Sequence, residues 1–157
     1  MSLRRPALDP SSIPPRSTSS YPEAFRARVL PREKRALGDA LGLTKIGVNH
    51  TTLMPGKQSA LRHWHAGEDE LIFVLAGEVV LVTDGGEQIL GPGMCAGFKA
   101  GTADGHCLHN RSDAPAVYLE ISNRDPDDRA VYPDDDLAYR KGDDGRPVFT
   151  RKDGSSY

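Results

Sequence analysis

The chain has 157 residues, the size of one domain, too short for the roughly 200 or more that a TIM barrel needs. Twenty Lys and Arg stand against 22 Asp and Glu, a formal charge of −2, which excludes a strongly basic nucleic-acid binder and a membrane-surface binder. A hydrophobic content of 38% supports a globular core, while 16 glycines and 12 prolines point to many turns and few long helices. The longest apolar run, Leu71 to Ala76, is far short of the ~20 residues of a spanning helix. Arg4-Arg5 is followed by Pro and Ser rather than an apolar stretch, so no signal peptide is expected and a cytoplasmic chain is. Cys95 and Cys107 are too few for a disulfide scaffold and read as free thiols.

Residues 1–22 are rich in Pro and Ser and read as a flexible arm, able to order against a partner subunit. Pro31, followed by Arg32, Glu33 and Lys34, predicts the start of a short helix. From Leu43 the period becomes two. Ile46, Val48, His50 and Thr52 alternate with their neighbours as a strand. Short strands are then predicted at 61–65, 70–75, 79–83, 87–90, 94–99, 106–110 and 116–121, the run at 70–75 buried on both sides and the last two paired with each other. Asp84-Gly85-Gly86 is a hairpin turn, because glycine tolerates positive φ. Eight short strands with frequent turns predict an all-β sandwich or barrel with antiparallel, hairpin-linked sheets. Residues 123–157 are polar and acidic and read as a tail packed on a barrel at 23–122, with Tyr132, Leu137, Tyr139 and Phe149 as anchors.

Five histidines carry the chemical signal. His63 and His65 flank Trp64, and on a strand residues two apart share a face. Both imidazoles can reach one ion at about 2.0–2.1 Å. Glu70 opens the next strand and can return a carboxylate to the same ion, and His106 can add a third nitrogen. Such a set suits one divalent Fe, Mn, Zn, Ni or Cu ion, and ligand type does not choose among them. Glu68 and Asp69 are alternative ligands or bases. Lys99 and Asp104 border the loop before His106 and can bind an anion or shuttle a proton; with Glu68 they are the candidate catalytic residues. Asn110 can orient a ligand or cap a turn. His109, Trp64, Arg62 and Cys107 are read as facing away from the ion, and His50, on the Ile46/Val48 face, as a core or rim residue.

These segments resemble the two motifs of the cupin superfamily. The first runs from Gly56 through His63-Trp64-His65 to Glu70 and Gly77; the second runs from Gly101 through His106 to Asn110. Lys99 stands where that motif usually has proline, and four residues separate Gly101 from His106 where two are usual. The similarity covers about residues 43–122. Segments such as RHWHAGEDE, AGFKAGTADGH and YPDDDL extend it to small single-domain bacterial cupins, some labelled sugar-phosphate isomerase-like. The resemblance implies a double-stranded β-helix (jelly-roll barrel), a mononuclear metal near the barrel centre and a homodimer.

The expected function is therefore a metal-dependent enzyme acting on a small-molecule ligand such as a sugar or sugar phosphate. An Fe(II) dioxygenase and a non-catalytic binding module are the alternatives. No nucleophile elbow, dinucleotide fingerprint or metallo-β-lactamase motif is present, and neither nucleic-acid nor membrane partners are expected. The sequence shows no arginine pair or P-loop that would clamp a phosphate.

Overall fold

A computed structural model describes residues 3–157; the first two residues of the expected arm lie outside it. Helix α1 spans Glu23–Val29 and α2 spans Leu37–Ala40. The strands are β1 (Arg32–Ala36), β2 (Ile46–Leu53), β3 (Trp64–His65), β4 (Glu70–Ala76), β5 (Val79–Thr83) and β6 (Gly86–Leu90). They continue with β7 (Cys95–Phe98), β8 (Cys107–His109), β9 (Ala116–Asn123), β10 (Arg129–Val131), β11 (Ala138–Lys141) and β12 (Pro147–Thr150). A five-stranded sheet runs β1-β2-β9-β4-β7, a three-stranded sheet β6-β5-β8, and a four-stranded sheet β12-β11-β10-β3. Every strand pair in them is antiparallel. The fold is an all-β jelly roll. Among the described residues no helix is long and apolar enough to cross a membrane.

The main core forms where alternate residues of the five-stranded sheet (Leu53, Ile72, Val74, Tyr118) meet those of the three-stranded sheet (Val79, Leu81, Leu108). A second core packs Tyr21 and Val29, from α1 and the segment before it, against Leu61, Tyr132 and Leu137. The barrel therefore has apolar walls on which a few polar inward side chains can be held in fixed positions.

Four expectations are corrected. Residues 32–36 form an edge strand, not a helix: the helix lies upstream and ends before Pro31, and β1 pairs in register with β2 from Arg32↔Leu53 to Ala36↔Asn49. β4 is not buried on both sides; Ile72 and Val74 point inward, while Leu71, Phe73 and Leu75 are exposed. β8 pairs with β5, not with β9, because β9 lies between β2 and β4. Of the strand expected at 61–65, only Trp64 and His65 form a strand, with His63 making an isolated bridge to His106. The polar stretch after residue 123 adds three strands, with Tyr132 and Leu137 buried. The N-terminal stretch also docks, since Arg16 and Lys34 exchange backbone hydrogen bonds of 2.8 and 3.0 Å.

Candidate metal centre

The His-x-His pair lies where β3 enters the barrel, and the backbone holds it against His106. The His63 N–H donates to the His106 carbonyl at 3.1 Å and the His106 N–H donates back at 2.8 Å. Glu70 begins β4, opposite Phe98 of β7 and Ser122 of β9. All four expected ligands converge. Glu70 Oε2 lies 4.0, 3.7 and 2.9 Å from the Nε2 atoms of His63, His65 and His106.

The groups behind the imidazoles set their tautomers. His63 Nδ1 lies 2.7 Å from the Leu61 carbonyl, which can only accept, so Nδ1 carries the proton and Nε2 keeps its lone pair. His65 Nδ1 faces Asp128 Oδ2 at 2.6 Å, again directing Nε2 inward. His106 stacks on Phe98 with ring centroids 3.5 Å apart and planes 3° from parallel, and its Nδ1 is buried without a partner. Burial pushes His63 down to about 3, so it is neutral at pH 7. Burial also opposes charge on Glu70, but the three histidines outweigh it and hold the carboxyl at about 2. His65 is raised: burial pulls it down, and the Asp128 hydrogen bond together with the negative charges of Glu70, Asp128 and Glu68 outweighs that.

The donor set fits a divalent transition ion. Glu70 Oε2 is buried with no directed hydrogen bond, and it faces the lone pairs of His63 and His65. Acceptors crowded in this way repel one another unless a cation lies between them. Three imidazole nitrogens and one carboxylate oxygen suit Fe, Mn, Ni or Zn.

Asp128, on the loop before β10, was not singled out from the sequence. It is 1% exposed and also accepts from the Gly67 N–H at 2.9 Å and the Glu68 N–H at 3.2 Å. Its only sequence signal was membership of an acidic run read as surface. Glu68 is held by Lys141 Nζ at 2.5 Å and accepts from the Asp125 N–H at 3.2 Å. Asp104 Oδ1 accepts from the Asp84 N–H at 2.7 Å, and Lys99 is exposed. Glu68, Lys99 and Asp104 line a cavity of about 200 Å³ that reaches His65, Glu70 and His106. Asp69 lies outside the centre, its Oδ1 accepting from the Ala100 N–H. Asn110 caps its turn, donating to the Leu53 and Ala114 carbonyls at 2.8 Å and accepting from the Ser112 N–H at 3.0 Å. Cys95 and Cys107 are free thiols.

A larger cavity, about 300 Å³, opens on the other side of the same ligands. Its wall includes Tyr21, Tyr132, Arg32, Lys34 and Glu120, none of them marked as site residues by the sequence. Lys34 Nζ donates to Glu120 Oε2 at 2.6 Å, and Tyr132 stacks on His63 with centroids 5.7 Å apart. An inward alternation of Tyr118 with Glu120 was the available signal for Glu120. Arg32 and Lys34 were hidden by the helical reading of their strand.

Comparison with known proteins agrees with this geometry. The Cupin domain family profile matches residues 49–122. A crystal structure from Silicibacter pomeroyi, described as a sugar phosphate isomerase from a cupin superfamily, is 45% identical over 97% of this chain and 96% of its own, with a TM-score of 0.92. A structure from Acidithiobacillus ferrooxidans, provisionally named a sugar phosphate isomerase, is 28% identical over 80% of both chains, with a TM-score of 0.71. A polyketide cyclase from Streptomyces resistomycificus, 17% identical over 78% of this chain and 80% of its own with a TM-score of 0.62, shares the fold. No curated protein matches the sequence. Two motifs in order, a jelly roll and a relative similar along almost its whole length lead to one assignment: the chain belongs to the cupin superfamily.

Proposed function

We propose that this chain is a metal-dependent enzyme that moves a proton between neighbouring carbons of a small polar molecule, a sugar or sugar phosphate, as an isomerase does. One observation carries the reading: the His63, His65, Glu70 and His106 cluster forms part of the wall of a 300 Å³ cavity that also holds the Glu120–Lys34 pair. That volume lies at the lower end of the range for small-molecule sites. A divalent ion on the four ligands would polarise a carbonyl or hydroxyl oxygen of the substrate. Glu120 is the carboxylate in this cavity outside the ligand set, and it is suited to take and return the proton. Lys34 fixes its Oε2, while the Tyr21 and Tyr132 rings shield the reacting carbons from water. The sugar phosphate isomerase descriptions of two relatives support the substrate class. We further propose a homodimer formed through the outward apolar row of β4.

The test is metal content by mass spectrometry on protein purified without added metal, beside a His63→Ala/His65→Ala variant. About one ion per chain, absent from the variant, is expected. Solvent deuterium exchange into candidate sugars and sugar phosphates, followed by NMR, then reads the proton transfer. Glu120→Gln should abolish exchange with metal content unchanged. Exchange that persists in Glu120→Gln removes Glu120 from the role, and wild-type protein that takes up no metal removes the reading altogether.

A further inference from the structure

Arg32 sits in the wall of the larger cavity without a carboxylate partner of its own. It is 9% exposed, its one hydrogen bond goes to the Ser59 carbonyl, and its Nε is buried without a partner. Among the described residues it forms no ion pair. Lys34, two residues on and on the same face of β1, has Glu120. Buried charges are normally paired, since an isolated one loses its hydration without return. A guanidinium that lines a cavity with N–H donors left unpartnered is thus a place for an oxyanion, the group that the planar fork of Arg recognises best.

Sheet order sets the spacing. β1 is the edge strand and β4, which carries Glu70, lies three strands away, about 14 Å between backbones. The two ends of the cavity wall therefore differ in chemistry, with Glu70 and the histidine nitrogens that converge on it at one end and two cations at the other. The formal charges of Arg32, Lys34, Glu70 and Glu120 cancel, and imidazoles that ligate a metal ion are neutral. A divalent ion leaves an excess of two positive charges, which a phosphate dianion neutralises and a carboxylate does not.

We propose that Arg32, assisted by Lys34, forms an oxyanion subsite that holds the phosphate ester of the substrate while its sugar end faces the metal ligands. This rests on the isomerase reading for the word substrate, but the subsite itself is tested by binding. Isothermal titration is run on manganese-loaded wild-type and Arg32→Gln protein, matched for metal content, with inorganic phosphate, ribose 5-phosphate, ribonate and ribose. Phosphate and ribose 5-phosphate should bind the wild type and weaken at least tenfold in Arg32→Gln, while ribose is unaffected. Arg32→Lys keeps a charge without the fork; a several-fold loss is expected there, and it serves as the test should Arg32→Gln fail to fold. Equal phosphate affinity in wild type and variant overturns the subsite, because phosphate is then held elsewhere, the metal included. Ribonate binding more tightly than ribose 5-phosphate overturns the phosphate assignment. Arg32-dependent binding of ribose 5-phosphate with no deuterium exchange upholds the subsite and removes the isomerase reading instead.

Discussion

Asp128 reaches His65 from 63 positions along the chain, and in a protein that holds a metal on His65 its effect would extend to that metal. Its carboxylate fixes the His65 ring and makes Nε2 a better donor. Partners of this kind typically change metal affinity 10- to 100-fold. Asp128→Asn keeps the shape and an acceptor but removes the charge, so it should weaken metal binding by about that factor in a competition with a chromogenic chelator. An unchanged affinity would mean that Asp128 only caps the Gly67–Glu68 turn. The histidines also set a pH dependence in the metal-free protein. His63 is held at about 3 in the fold against 6.5 in the unfolded chain. Below 6.5 the unfolded chain takes up a proton that the folded one refuses, so stability falls as pH drops toward 3. Glu70, near 2 against 4.5, has a stabilising effect that is present above 4.5 and lost as pH falls from there toward 2. His65, being raised, has the opposite sign: its stabilisation is full below 6.5 and is lost only as pH rises through its folded value. Thermal melts of chelator-treated protein should therefore decline steadily from pH 6.5 to pH 4, and His63→Gln should flatten that slope.

The break between β4 and β5 depends on Gly77, at φ 72°, where a Cβ would meet the Pro115 carbonyl oxygen at 2.7 Å and Ala116 Cα at 2.9 Å. Both obstacles are backbone and cannot rotate away. Gly77→Ala should cost more than the ~1–3 kcal/mol of backbone strain alone, read as a fall in the urea midpoint. That glycine, the His-x-His spacing and the strand alternation from Ile46 to Leu53 were all legible in the sequence, because each is a local consequence of pleat or turn geometry. What stayed illegible depended on distant partners. Arg32 to Ala36 looks helical beside Pro31, and only pairing with β2 makes it a strand that carries charges inward. An apolar run such as Leu71 to Ala76 does not itself reveal whether one face or two is covered. Asp128 is one of many acidic residues until β10 pairs with β3 and brings it to His65. The misread strand is the one that carries Arg32 and Lys34, the two cations on which the proposed oxyanion subsite rests.

At the scale of the whole molecule, the five-stranded sheet turns one face to the core and leaves the other outside. An antiparallel sheet with a solvated face ordinarily presents polar residues there. β4 instead exposes Leu71, Phe73 and Leu75 at 38, 37 and 41%, and across from them in register lie Ile121 and Leu119 of β9 and exposed Cys95 of β7. A contiguous apolar row in the middle of a sheet is the kind of surface that a partner covers. A second copy is the occupant proposed here, because two such faces are self-complementary about a two-fold axis and close without leaving an open end. The strand's alternation makes this testable without touching the metal site, since Leu71 and Phe73 point away from Glu70 and Ile72. Leu71→Lys/Phe73→Lys should convert a dimer to a monomer in light scattering coupled to size exclusion, with metal content and far-UV circular dichroism unchanged. Wild-type protein that runs as a monomer at micromolar concentration would remove the dimer and leave the row to a different partner. Loss of metal in the variant would instead show that the two faces of β4 are coupled, with pairing of the copies needed to hold Glu70 in line with the three imidazoles.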